Sequence, residues 1–147
     1  MKNILSRLLV GAVLVASSAL VSAKEELPYS EGPVIEVSYI KIKPGMFDAY
    51  LRWLSTDWKQ LNAEYIKAGI ILDAKVYSCT ARNPHEADLA LVVTYKNMAA
   101  LDNLEERTAA IDEKVWSSRQ KANEAAIGRE KMREVLGSEI IRELVLK

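Results

Sequence analysis

Two residues of this chain have reactive side chains that occur only once, His85 and Cys79. His85 follows Asn83-Pro84 in a predicted surface loop, where it could act as a general base or bind haem. A general base must meet geometric requirements that such a loop does not provide, so we interpret His85 as an exposed loop residue. One histidine and no spaced carboxylate cluster predict no metal site.

Cys79 lies at the end of a predicted strand. It could be a reactive thiol or form an intermolecular disulfide, since a lone cysteine cannot form one within the chain. Small buried cysteines are common, and we favour that interpretation. The sequence contains no glycine-rich phosphate loop, nucleophile elbow, CxxC or HExxH motif, and it predicts no cofactor.

Charge and composition narrow the possible partners. The 147 residues include 20 basic and 20 acidic side chains, and 50% of the chain is hydrophobic. Without a basic excess, we expect no nucleic-acid partner. The composition is typical of a single globular domain.

The first 23 residues have the pattern of a secretory signal peptide. Lys2 and Arg7 precede an apolar stretch, and Val21-Ser22-Ala23 offers a cleavage site. Cleavage would leave 18 basic against 20 acidic residues, because it removes Lys2 and Arg7 and no acidic residue. The apolar stretch is short for a membrane anchor, and no later stretch is long enough to span a bilayer. We therefore expect a periplasmic or secreted protein, free of the membrane after cleavage.

Residues 24–33 are rich in Pro, Gly and Glu and predict a flexible lead-in, followed by one domain over residues 34–147. Alternating or continuously apolar segments predict strands, and apolar residues spaced by three and four predict helices. The strands are expected at residues 34–42, 70–79, 88–95 and 138–147, and the helical regions at 46–68 and 98–136.

The first helix has the clearest periodicity. Its apolar stripe predicts the buried face and comprises Phe47, Leu51, Leu54, Trp58, Leu61 and Tyr65. Tyr50 and Trp53 form a second stripe, which indicates either ordinary partial burial or a second contact surface. Gly69 is expected at the C-terminal cap and Pro44 at the entrance.

The order β-α-β-β-α-β predicts an α+β, ferredoxin-like split βαβ fold, with a four-stranded antiparallel sheet and helices on one face. The other sheet face would be left exposed to water at a cost of about 25 cal/mol per Å² of apolar surface. A second copy packed on that face would form a closed barrel, so we expect a homodimer.

Several of these segments resemble the dimeric α+β barrel superfamily. The resemblance lies in the run YIKIKPGMFDAYLRWLSTDWKQLNAEYIKAGIILDAKVY and in LVVTYKNMAALD, which together span about residues 34 to 105. The superfamily includes antibiotic-biosynthesis-type monooxygenases and NIPSNAP-like proteins. It implies the barrel fold and says little about activity. Residues 105–136 depart from it, being longer than the second helix that the fold needs.

Strand parity predicts a site. One parity should lie beneath the helices, namely Ile35, Val37, Tyr39, Leu72, Ala74, Val76, Leu89, Leu91 and Val93. The other parity would face the space between two sheets, and its polar members are Glu36, Ser38, Lys75, Tyr77 and Thr94. Polar groups in an enclosed cavity indicate a hydrogen-bonded ligand, and a plain dimer interface with pairs such as Glu36 and Lys75 is the alternative.

Two functions from different classes remain. The first is a small exported dimeric binding or accessory protein without catalysis of its own. The second is a cofactor-independent monooxygenase or isomerase that acts on an apolar or aromatic molecule in the barrel. The lack of a histidine in the predicted cavity favours the first.

Overall fold

The computed structural model describes residues 26–147 of the chain. Its elements follow the predicted order of strand, helix, two strands, helices and strand. They are β1 (Tyr29–Ile42), α1 (Phe47–Trp53), a π-helical turn (Leu54–Trp58), α2 (Lys59–Lys67), β2 (Asp73–Ser78), β3 (Leu89–Tyr95), a 3₁₀ turn (Met98–Leu101), α3 (Leu104–Trp116), α4 (Arg119–Glu130) and β4 (Arg133–Leu146).

The four strands form one sheet in the order β2-β3-β1-β4, and every neighbouring pair is antiparallel. The two longest strands, β1 and β4, lie side by side, and β4 forms an edge of the sheet. This is the ferredoxin-like split βαβ arrangement, which confirms the predicted fold class.

The first and last strands begin earlier than predicted. β1 begins at Tyr29, so residues 29–33, predicted as part of a flexible lead-in, belong to a strand. β4 begins at Arg133, five residues before the predicted start, and α4 continues past Gly128 to Glu130. The pairing of Tyr29 with Leu146 explains the first difference, because the long β4 gives the early residues of β1 a partner. The predicted signal peptide, residues 1–23, lies outside the described residues.

The first helical region begins after a tight turn and ends at a glycine. The Met46 amide donates to the Lys43 carbonyl at 3.0 Å, and Gly45 has a φ of +76°. Proline followed by a glycine of positive φ is the pattern of a type II turn. Gly69, with a φ of +69°, lies just after α2, at the C-terminal position that favours glycine.

The helices pack on one face of the sheet, which we call the helix face, and they bury it over β1 and β3 more than over the outer strands β2 and β4. Its buried residues form two clusters, one around Ile40, Tyr50 and Leu91, the other around Val34, Ile71 and Tyr95. Residues paired across antiparallel strands share a face, so the register assigns the remaining positions. Glu36 pairs with Val93 and Ser38 with Leu91, which puts both polar residues on the helix face.

The opposite face, which we call the open face, is covered by none of the described elements. It carries the alternate residues, with Ile35, Val37, Tyr39, Lys75, Tyr77, Ala90, Val92, Thr94 and Ile141 among them. The parity prediction is therefore right for β2 and β3 and wrong for β1. Between Val34 and Ile40, β1 is apolar on both parities apart from Glu36 and Ser38, so its pattern did not identify the buried side. Leu72, also predicted beneath the helices, is exposed.

No helix among residues 26–147 is long and apolar enough to cross a membrane.

Candidate functional site

Two neighbouring cavities lie between the helices and the sheet. The tryptophan cavity has a volume of about 240 Å³ and is lined by Glu36, Ser38, Trp53, Trp58, Leu61, Leu91, Val93, Arg129 and Arg133. The tyrosine cavity has a volume of about 320 Å³ and is lined by Asn62, Tyr65, Ile70, Ile71, Val93, Tyr95, Leu104, Glu105 and Thr108. Val93 lines both cavities. Together they combine apolar and aromatic surface with a few polar groups, which is typical of small-molecule sites.

The π-helical turn brings two tryptophans to one cavity. Trp53 and Trp58 are five residues apart, and an α-helix would direct such residues about 140° from each other. A π-helix joins each amide to the carbonyl five residues before it, as in the bond from the Lys59 amide to the Leu54 carbonyl. The wider turn therefore lets Trp53 and Trp58 line the same cavity. Turns of this kind are frequent at functional sites.

Two arginines reach the tryptophan cavity from the end of α4 and the start of β4. The Arg129 guanidinium lies 4.8 Å from the centre of the Trp53 ring, and that of Arg133 lies 5.6 Å from the Tyr50 ring. The two rings stack on each other, with centroids 5.9 Å apart and planes at 11°. Each guanidinium thus packs on one ring of the stacked pair, and cation–π attraction holds both charges in place.

A carboxylate joins the two cavities. The Tyr95 hydroxyl, in the tyrosine cavity, donates a hydrogen bond of 3.1 Å to Oε2 of Glu36, in the tryptophan cavity. Burial, and then the Glu36 charge, raise the pKa of Tyr95 above its usual value. Glu36 is the only carboxylate that lines the tryptophan cavity among the described residues. It can therefore accept a proton or a hydrogen bond from a bound molecule.

Three further polar side chains surround these cavities. The buried amide of Asn62 donates to the Trp58 carbonyl at 2.7 Å, which fixes it beside the π-helical turn. Tyr65 donates to Asp112 of α3. Burial and this hydrogen bond raise the pKa of Tyr65. The Ser38 and Ser138 hydroxyls are 2.9 Å apart and bond across β1 and β4.

The four predicted site residues do not come together. Glu36 and Ser38 line the tryptophan cavity on the helix face, whereas Lys75 and Tyr77 lie on the open face. The suggested pair of Glu36 and Lys75 is therefore wrong, because a sheet separates them. Lys75 instead forms a salt bridge of 2.5 Å with Asp73, and Thr94 lies on the open face as predicted.

The lone histidine and cysteine lie apart from both cavities. His85 is exposed in the loop before β3, as the sequence predicts, and its amide donates to the Asn83 side chain at 2.9 Å. Cys79 is half-buried as a free thiol rather than fully buried. Within residues 26–147, no three or more His, Cys, Asp or Glu side chains are grouped as a metal site would need.

Sequence reasoning missed the two arginines and the role of Trp53. Arg129 and Arg133 occur in a polar, weakly periodic segment whose helix boundary the sequence did not reveal. Their spacing of four residues across the junction of α4 and β4 contained no recognisable motif. The second aromatic stripe of Tyr50 and Trp53 was the available signal. Tyr50 is fully buried, and Trp53 is half-buried beside Arg129.

Comparison with known proteins supports the fold. HapK from Hahella chejuensis is similar in structure, with a TM-score of 0.52 and 13% identity, over 75% of this chain and 91% of that chain. A dimeric ferredoxin-like protein from an uncultured marine organism gives a TM-score of 0.45 and 12% identity, over 80% of this chain and 90% of that chain. No protein-family model matches the chain, and no curated protein matches it. At such low identity, the similarity to HapK shows a shared fold alone.

Proposed function

We propose that this protein is a homodimeric binding protein for a small apolar or aromatic molecule, held in the tryptophan cavity. The sequence predicted a ligand between two sheets; the geometry favours the space between helix and sheet instead. We extend the proposal to an exported protein, in which cleavage after Ala23 leaves Lys24 as the first residue. Mass spectrometry of the exported protein tests that boundary.

The observation that carries the binding proposal is the alignment of Trp53 and Trp58 by the π-helical turn. Two half-buried aromatic rings at one cavity give a flat ligand a large apolar contact area. Wide helical turns of this type depart from the regular helix that the flanking residues favour, and they are enriched where a side chain must be aimed at a site. The cavity volume of about 240 Å³ suits a molecule of one or two rings.

The dimer proposal rests on the open face. Ile35, Val37 and Val92 form an apolar centre on this face, and Ile141 and Tyr77 beside them are 46% and 50% exposed. Charged groups such as Lys75 and Glu139 lie toward the outer strands. An apolar centre within a polar rim is typical of a protein interface. A second copy placed on the same face would be a two-fold, self-complementary partner.

Glu36 favours a second candidate, a cofactor-independent monooxygenase or isomerase. Such an enzyme needs a base within hydrogen-bonding reach of its substrate. Glu36 lines the cavity that would hold the ring, and Tyr95 orients its carboxylate. Replacing Glu36 with Gln separates the candidates, because a binding protein would keep its affinity for an apolar ligand while an enzyme would lose turnover.

Ligand titration tests the binding proposal. Naphthalene-2-carboxamide, a neutral two-ring probe, should quench tryptophan fluorescence in the wild type. Trp53→Ala or Trp58→Ala should weaken its binding about tenfold, the loss expected for about 1.4 kcal/mol of ring contact. Trp116→Ala is the matched control, since Trp116 ends α3 and lines neither cavity. Equal affinity in all three variants would reject the tryptophan cavity as the site.

Sedimentation tests the dimer. Val37→Lys introduces a charge at the centre of the open face and should convert a micromolar dimer into a monomer, because two buried like charges would meet there. Ile66→Lys is the control, because Ile66 is exposed on α2 and away from the sheet. A wild-type protein that sediments as a monomer at those concentrations would reject this interface.

A further inference from the structure

Arg129 and Arg133 carry charges that the described residues leave unpaired. Neither guanidinium forms a salt bridge with any carboxylate among residues 26–147. Nε of Arg129 is buried and donates no hydrogen bond within this part of the chain. A buried charged donor without a partner is costly, so an anion at this position would stabilise the site.

The two guanidiniums are also near enough to repel each other. Burial lowers the pKa of Arg129, and repulsion from Arg133 lowers it further, while attraction to Tyr50 and to Asp57 partly offsets this. Repulsion of like charges in a half-buried space favours binding of a negative group between them. Both residues line the tryptophan cavity and an outer depression of about 460 Å³, so a ligand could reach them from solvent.

The stack of aromatic rings holds these charges before any ligand binds. Arg129 rests on Trp53 and Arg133 on Tyr50, and the two rings are parallel within 11°. Fixing both guanidiniums in advance lowers the entropy that binding must lose. A planar guanidinium can donate two parallel hydrogen bonds to a carboxylate, a geometry that an ammonium group does not match.

We propose that the ligand of the tryptophan cavity is an aromatic carboxylate, whose carboxylate binds Arg129 and Arg133 and whose ring contacts Trp53 and Trp58. This inference rests on the proposed binding function and specifies the class of its ligand. The charge distribution sets the orientation, because Glu36 would repel the anionic end. Glu36 enters from the middle of β1, six residues from Ile42, which pairs with Arg133. Six strand residues span about 20 Å of backbone, so Glu36 and Arg133 enter the cavity from separate positions along the sheet.

A matched pair of probes tests this inference. Naphthalene-2-carboxylate and naphthalene-2-carboxamide have the same ring and nearly the same shape and differ in charge. The carboxylate should bind the wild type about tenfold tighter or more, and this advantage should shrink as salt is added. Arg129→Gln and Arg133→Gln should each remove most of the advantage, which is the ratio of the two affinities measured in the same variant. That ratio cancels any loss of ring contact that both probes share, and circular dichroism shows that each variant is folded.

Two controls sharpen the result. Arg119→Gln removes a positive charge from the same helix, but Arg119 is 88% exposed and should leave the advantage intact. Arg129→Lys keeps the charge without the paired donors and should give an intermediate affinity. Naphthyl phosphate, run alongside, distinguishes a carboxylate site from a general anion site, and preferential binding of the phosphate would overturn the assignment to a carboxylate.

The outcomes separate this inference from the binding proposal beneath it. If both naphthalene probes bind equally well, the cavity binds aromatic molecules and the carboxylate inference is wrong. If neither binds at millimolar concentration, the binding proposal fails and the inference fails with it. If the advantage of the carboxylate survives in both Gln variants, the anion lies elsewhere and Arg129 and Arg133 do not bind it.

Discussion

The two faces of the sheet differ in what their side chains contact. On the helix face, Ile40 and Val34 are fully buried beneath helices, and Glu36 and Ser38 line a cavity. On the open face, Val37 and Ala90 are buried only by their neighbours within the sheet, each being 8% exposed. Burial on the helix face therefore depends on how the helices pack. Burial on the open face comes from neighbouring residues of the sheet alone.

This difference assigns separate roles to the two faces. The tryptophan cavity lies between the helices and the sheet, and the π-helical turn widens the helix at that point. A sheet face that no helix covers suits packing against a second sheet. The proposed ligand site and the proposed dimer interface therefore lie on different faces, and we expect that mutations can affect one without the other.

Deleting single residues from the first helical region should have the largest effect on the helix face. Removing Ala63 from α2 turns Tyr65 by about 100° relative to the residues before it. That turn separates Tyr65 from Asp112 and from the cluster around Ile71. We expect a loss of about 3 kcal/mol or more in the free energy of unfolding, comparable to removing a large buried side chain. Urea denaturation followed by circular dichroism measures it.

Deletion of Ser55 is the matched control and should be tolerated. Ser55 lies exposed in the π-helical turn, where one residue fewer allows regular α-helical hydrogen bonds. Trp53 and Trp58 would then be four residues apart and still share a face. We expect a change within about 1 kcal/mol. A loss as large as that of the Ala63 deletion would show that the wide turn itself is needed for the fold.

Truncating one buried side chain on each face should separate them further. Tyr50→Ala should cost about 3–5 kcal/mol, because Tyr50 is fully buried among the helices. Val37→Ala should cost the protomer about 1 kcal/mol, since it removes little apolar surface from the open face. In the proposed dimer, the loss caused by Val37→Ala should grow as the protein concentration falls, whereas the loss caused by Tyr50→Ala should not depend on concentration. Urea melts at several concentrations measure both, and equal losses would contradict the separation of roles.

A third variant refines the role of Tyr50. Its hydroxyl is buried without a hydrogen-bond partner among residues 26–147. Tyr50→Phe removes this unpaired group and keeps the ring on which Arg133 packs. We expect a change of about 1 kcal/mol or less, in either direction. A larger loss would indicate that the hydroxyl bonds to Arg133 in solution.

The sequence predicted the order of elements well, because the strands are apolar and the first helix is strongly periodic. The fold class followed from that order. The sequence did not predict which side of β1 is buried. Strand parity placed Ile35, Val37 and Tyr39 on the buried side because the opposite parity carried Glu36 and Ser38. Alternation identifies the buried side only when the covered side is apolar, and here Glu36 and Ser38 lie on the covered side, where they line a cavity.

Periodicity also failed inside the first helical region. A constant period of 3.6 residues placed Phe47 and Trp58 in the core and Tyr50 and Trp53 outside it. In the structure, Phe47 is 48% exposed and Tyr50 is fully buried. The π-helical turn changes the helical period after Trp53, and no residue type in Leu54–Trp58 indicates such a turn. Arg129 and Arg133 were missed because α4 continues past Gly128 to Glu130, so the glycine near its end does not mark where the helix stops.

The smallest expected effect is the pH dependence of stability, to which a tyrosine on each face of the sheet contributes differently. The folded protein raises the pKa of Tyr95 on the helix face, mainly by burial and then through Glu36. It therefore keeps its proton in the folded state at a pH where the unfolded chain loses it. This contribution to stability is complete below about pH 10 and is lost as the pH rises above that value. The pKa of Tyr39 on the open face is also raised, chiefly by its hydrogen bond to Glu139, but Tyr39 is not buried.

Tyr95→Phe should therefore make the loss of stability above about pH 10 less steep, and Tyr39→Phe should change it less, because solvent screens the charge on an open face. Urea melts from about pH 8 to about pH 11 measure the slope for the wild type and both variants. Tyr65, also buried on the helix face, supplies a part of the slope that both variants retain. If Tyr39→Phe had the larger effect, burial of the helix face would not control the alkaline transition. The Tyr95 and Glu36 contact that joins the two cavities would then be open to water in solution.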